Sequence, residues 1–84
     1  MSEVVVLSNL NFKVLNEAFE VLEKVVSANK NYKYYYNIDA NDILLIEISM
    51  FDGVRIVNIY LKNGIVIRVN EHAKTIDVYR VIEL

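Results

Sequence analysis

Lys30-Asn31-Tyr32-Lys33-Tyr34-Tyr35-Tyr36-Asn37 is the segment whose side chains are best suited to hold a ligand. Four aromatic rings interleaved with Lys30 and Lys33 can stack on bases while the ammonium groups meet phosphates, as single-strand nucleic-acid binders do. Read as a strand over residues 32–38, the segment alternates. Tyr32, Tyr34 and Tyr36 fall on one face, and Lys33, Tyr35 and Asn37 on the other. Tyr also has high β-propensity and an amphipathic ring suited to sheets and interfaces, so plain packing is the competing reading. The formal charge of −2 favours packing, because there is no basic excess to hold a phosphate backbone.

The other reactive residue types are scattered. His72 is the sole histidine and sits beside Glu71 in a predicted loop. A general base needs a partner and a pocket, and no partner pattern surrounds it, so it reads as an exposed loop histidine. A pH-dependent contact is the alternative role. Asp39-Ala40-Asn41-Asp42 loosely resembles the start of a calcium loop, but it has no Gly at the sixth position, no Glu at the twelfth and no second helix. It reads as a solvated turn. Nothing marks Ser2, Ser8, Ser27 or Ser49 as a nucleophile. Gly53 and Gly64 are isolated, so no phosphate-cradling loop is expected. Without Cys there is no disulfide, zinc–thiolate site or cysteine nucleophile. No enzyme, cofactor or metal site is expected from this pattern.

The elements that position these residues follow from periodicity. With 84 residues the chain is expected to be one domain, residues 1–84. Its hydrophobic fraction of 55% is high for that length. The surplus points to an interface. No apolar run approaches a membrane span, and the start of the chain is acidic rather than basic, so a cytoplasmic location is expected. The absence of Cys and Gln fits a thermophile; ten Asn residues fit an A/T-rich genome instead.

Residues 3–7 form a continuous β-branched run that reads as a buried strand. Ser8 and Asn9 follow as N-cap candidates, with Leu7 and Phe12 at hydrophobic-staple positions. Phe12–Ala28 is the clearest helix: Val14, Leu15, Ala18, Phe19, Val21, Leu22, Val25 and Val26 share one side. Glu20 and Lys24 can pair at i,i+4, and Asn29 suits a left-handed position after the helix. Strands are predicted over residues 32–38, Ile43–Phe51, Val54–Leu61, 65–69 and 75–84. The result is an α+β fold: a single amphipathic helix packed on a curved antiparallel β-meander, in the order β-α-β-β-β-β-β.

Two turns fix the register. Asp52-Gly53 suits a type I′ turn, so Phe51 faces Val54 and Ile48 faces Val57. Lys62-Asn63-Gly64 suits a three-residue loop with Gly in the left-handed position, so Asn58 faces Arg68 and Arg55 faces Glu71. Leu44, Ile46, Ile48, Met50, Val57, Ile59, Leu61, Ile65, Ile67 and Val69 then share the face the helix covers. The other face carries Ile43, Leu45, Phe51, Val54, Ile56, Tyr60 and Val66, with Glu47, Asn58 and Arg68 in a polar row through its middle. Monomers seldom leave such a patch in water, so these seven residues form the expected partner interface. In the last predicted strand Ile76, Val78, Ile82 and Leu84 share a face with Arg80, while Tyr79 and Val81 lie opposite.

A strand, a long helix and an antiparallel meander together resemble the cystatin arrangement in topology. That family's inhibitory Gln-x-Val-x-Gly loop cannot occur here, because the chain has no Gln. The expected function is a non-catalytic protein–protein interaction module. It is either a homodimer or a small accessory subunit of a larger complex, with nucleic-acid processing as one setting. The alternative is single-strand nucleic-acid binding through Lys30, Tyr32, Lys33, Tyr34, Tyr35 and Tyr36.

Overall fold

The computed structural model describes residues 4–81. The order is β1 (Val4–Asn9), α1 (Phe12–Ala28), two 3₁₀ segments (Lys30–Asn37 and Ala40–Asp42), β2 (Ile43–Phe51), β3 (Val54–Leu61), β4 (Ile65–Asn70) and β5 (Thr75–Arg80). Strands β2 to β5 form an antiparallel meander, and β1 pairs antiparallel with the free edge of β2. The helix packs against one face of this curved sheet, giving an α+β fold.

The two turns act as their residues require. Asp52 and Gly53 both have positive φ, 51° and 78°, as a type I′ turn demands. Phe51 then pairs with Val54, Ile48 with Val57 and Glu47 with Asn58. Gly64 has φ of 87°, and its N–H donates to the Leu61 carbonyl at 3.1 Å. The resulting register pairs Tyr60 with Val66 and Asn58 with Arg68.

Helix α1 buries Val14, Ala18, Val21, Leu22 and Val25 against Ile46, Ile48, Val57, Ile59, Ile67, Val69 and Ile76 of the sheet. Its N-cap is Asn11, whose Oδ1 accepts the Val14 N–H at 2.9 Å. Ser8 and Asn9, the expected caps, instead belong to β1 and pair with Glu47 and Ile46. Residues committed to a ladder cannot also turn the chain into a helix. Phe12 is consequently the first helical residue and is 81% exposed, so it makes no staple. Asn11→Ala is expected to cost about 1 kcal/mol and lower the melting temperature by roughly 4–8 °C, whereas Asn11→Asp keeps the cap; thermal unfolding followed by circular dichroism reads both.

Residues 30–37 are not a strand. They form a 3₁₀ segment, in which residues three apart share a side. Tyr32 and Tyr35 therefore face the core together, with ring centroids 6.3 Å apart, and Tyr34 points outward. The β-propensity of Tyr is overridden because β1 already occupies the free edge of β2, where another strand would have paired. Asn29 is extended (φ −142°, ψ 103°) rather than left-handed, and its side chain accepts the Asn31 N–H at 3.1 Å. It caps the 3₁₀ segment as the chain leaves the helix.

A second correction concerns Ile43. Ile43 pairs with Leu61 but Leu45 pairs with Tyr60, so Leu44 is the extra residue of a β-bulge. The bulge turns Ile43 into the core, 2% exposed, and Leu44 outward, 59% exposed. Strict alternation assigned both residues to the opposite faces. In β5, Ile76 is buried whereas Val78 is exposed. Residues 82–84 of the expected last strand, and residue 3 of the first, lie outside the described residues.

The expected pair of Arg55 and Glu71 is the centre of a larger cluster at the helix–sheet rim. Arg55 Nε donates to Glu71 Oε1 at 3.0 Å, and Nη2 also bonds Glu71 Oε2. The same guanidinium reaches Glu17 at 3.5 Å and Glu20 at 3.4 Å on α1. Lys24 joins from the helix, 3.7 Å from Glu20 and 3.3 Å from Glu71.

Candidate interaction surface

The face of the sheet away from α1 is built by alternation and register. Pairing aligns its side chains in rows across the strands. Leu45, Tyr60, Val66 and Tyr79 form one row, and Glu47, Asn58, Arg68 and Asp77 the next. Ser49, Ile56, Asn70 and Thr75 form a third, and Phe51 with Val54 a fourth. Among the described residues the sheet's only helix lies on the opposite face.

Six of the seven expected interface residues are brought together here: Leu45, Phe51, Val54, Ile56, Tyr60 and Val66. Ile43 is not among them, because the bulge buries it under the helix. Three residues extend the patch. Leu44 is turned out by the same bulge, and Tyr79 and Val81 lie about half-exposed on or beyond β5. Leu44, Tyr60, Val66 and Val81 line one shallow hollow at the end of the sheet. Tyr79 and Val81 were legible as the face of the last strand opposite Ile76; the bulge had no signal.

The polar row is organised around Asn58, which is 5% exposed. Its Nδ2 donates to Glu47 Oε1 at 3.2 Å, and its Oδ1 accepts from Arg68 Nε at 3.0 Å. The amide thus bridges an acid and a base on the flanking strands. The Arg68 guanidinium also lies over the Tyr79 ring, 5.5 Å from its centroid. Among the described residues neither Glu47 nor Arg68 has an ion-pair partner within 4.0 Å, although Asp77 is the cross-strand neighbour of Arg68. Every buried side-chain nitrogen and oxygen among the described residues has a hydrogen-bond partner.

The residues expected to contact nucleic acid are split up. Lys30, Lys33 and Tyr34 are exposed, with Lys33 Nζ 5.7 Å from the Tyr34 ring centroid. Tyr32 and Tyr35 are spent on the core. The Tyr36 side chain lies outside the described residues. No continuous stacking row results, since the 3₁₀ spacing separates the rings that alternation would have aligned.

The remaining candidates are ordinary turns. His72 is exposed between β4 and β5. Asp39 Oδ1 accepts the Asn41 N–H at 2.9 Å and so caps the short 3₁₀ segment. Among the described residues no cluster of three His, Asp or Glu side chains is placed to hold a metal ion. No helix among them is long and apolar enough to cross a membrane. No family model matches the chain, and neither a curated protein nor a solved structure is significantly similar to it.

Proposed function

We propose that this chain is a non-catalytic interaction module that docks another polypeptide on the outer face of its sheet. One observation carries the reading. Apolar side chains, half-exposed at Leu44 and Tyr79 and partly exposed at Leu45 and Tyr60 around a buried Val66, flank a prearranged polar row that has no covering element among the described residues. Apolar area supplies affinity, while a fixed polar row restricts which surface fits. Aromatic groups beside an arginine, here Tyr60 and Tyr79 beside Arg68, are also the composition favoured at the centre of interfaces. The reading assigns no reaction to the chain and needs no cofactor.

Site-specific crosslinking in the source cells tests this. A benzophenone side chain at position 60 is expected to capture a defined polypeptide. The same group at Glu23, exposed on the far side of α1, is not. Equal capture from both positions, or none from position 60, would remove the outer face as a docking surface.

A further inference from the structure

The charge order of the polar row goes further than the existence of a docking face, and the following rests on that face being one. We infer that its occupant is a second copy of the chain, packed face to face about a two-fold axis that runs along β3.

An isologous contact is self-complementary: whatever one copy offers, the other must match. The row reads Glu47 on β2, Asn58 on β3, Arg68 on β4 and Asp77 on the β5 edge; its first three members place acid and base symmetrically about a neutral centre. Two simple settings of the axis keep the strands aligned as face-packed sheets require. With the axis along the row, Glu47 would meet the partner's Glu47, and Arg68 the partner's Arg68. Like charges would then be pressed together out of water, which is strongly unfavourable.

With the axis along β3, β2 of one copy lies over β4 of the other. Glu47 then faces the partner's Arg68, and Arg68 faces the partner's Glu47. The apolar rows match under the same rotation: Leu45 lies over the partner's Val66, and Tyr60 over the partner's Tyr60. The two charges that have no ion pair among the described residues each gain one across the interface. Asn58 already holds both side chains in place, so little rotamer freedom is lost when they meet.

Other occupants fit less well. A nucleic-acid backbone would meet Glu47 and Asp77 on the same row. A purely apolar partner would bury the acid and the base without matching either. Size sets the strength. A sheet of five strands about 4.8 Å apart, with about 20 Å of each strand in contact, offers a footprint of about 500 Å². This is below the ~800 Å² per partner of a standard interface, so a reversible dimer is expected.

A charge-reversal pair is the test. Glu47→Arg alone sets base against base at both cross-copy contacts, and Arg68→Glu alone sets acid against acid. Each variant is expected to sediment as a monomer at concentrations where the unaltered chain dimerises, with an unchanged circular-dichroism spectrum. Mixed one to one, the two variants regain opposite charges at both contacts. They should pair with each other about tenfold or more tightly than either pairs with itself. Native mass spectrometry separates that heterodimer by mass. If either reversal fails to fold, Glu47→Gln and Arg68→Gln serve: each should weaken the dimer, and the double variant by no more than either alone.

An unaltered chain that stays monomeric at millimolar concentration, while position 60 crosslinks to a different protein, overturns the second copy and leaves the docking face standing. A dimer indifferent to both reversals overturns the arrangement and moves the contact off this face.

Discussion

Val57→Asp is expected to be severely destabilising, read as a large fall in the cooperative thermal transition and, where the starting stability is at the low end, as loss of the helical circular-dichroism signal. Val57 is fully buried, paired with Ile48 on β2 and Val69 on β4, in the cluster that α1 covers. The buried residues described in that cluster are all apolar, so a carboxylate there meets no cation, and even the neutral acid buries an unpaired hydroxyl. The loss of the Val methyl contacts and the desolvation together amount to about 4–6 kcal/mol. A domain of this size has about 4–12 kcal/mol in all. The neighbouring substitution behaves oppositely. Ile56 is on the outer face and only partly buried, so Ile56→Asp is expected to keep the helical signal and to weaken the proposed docking on that face. One residue along the strand thus separates a folding defect from a binding defect. Tolerance of Val57→Asp would mean that the two faces are exchanged.

That contrast was readable in the sequence because Asp52-Gly53 and Gly64 pin three strands in register without help from distant contacts. The helix bounds were readable for a similar reason: an uninterrupted apolar stripe from Val14 to Val26 admits one period only. The failures are non-local. Residues 30–37 have the composition of a strand, but whether they pair depends on which segment takes the free edge of β2, and β1 takes it. Ile43-Leu44-Leu45-Ile46 is apolar throughout, so alternation assigns faces there without a polar residue to contradict it, and the bulge at Leu44 passes unseen. Three capping side chains, Ser8, Asn9 and Asn11, compete within four residues. The choice follows from where β1 stops pairing, which is a property of β2. The candidate surface fared better than these, since only Ile43 was misplaced. The row of Glu47, Asn58 and Arg68 followed from register, but the bridging role of Asn58 needed side-chain positions.

Arg55→Met is expected to destabilise the protein by about 2–3 kcal/mol at neutral pH, below the ~3–5 kcal/mol of breaking a fully buried pair, because the cluster is partly solvated. Among the described residues the guanidinium is the one group that ties β3 to Glu71 and to both Glu17 and Glu20 on the helix. Without it, acids from two elements face one another with only Lys24 nearby. The cluster also fixes the acid response. Hydrogen bonding to Arg55, opposed by burial and assisted by Lys24, lowers the Glu71 carboxyl from 4.5 to about 2. The same contacts raise the Arg55 guanidinium above its ordinary value, chiefly through the Glu71 hydrogen bond. A carboxyl whose folded-state pKa is depressed contributes stability that is complete above its unfolded value. That contribution is lost as pH falls from about 4.5 through about 2. Glu71→Gln should therefore lower stability at neutral pH by about 1–2 kcal/mol, after allowance for solvent screening. Its stability should also vary less between those two pH values, so that the curves of variant and parent converge near the lower one. Denaturant unfolding across that range measures both. The Arg55→Met/Glu71→Gln double variant should lose about 1–2 kcal/mol less than the two single losses combined, because each single change already breaks the shared contact. Additive losses, or parallel pH curves, would show that Arg55 and Glu71 act independently.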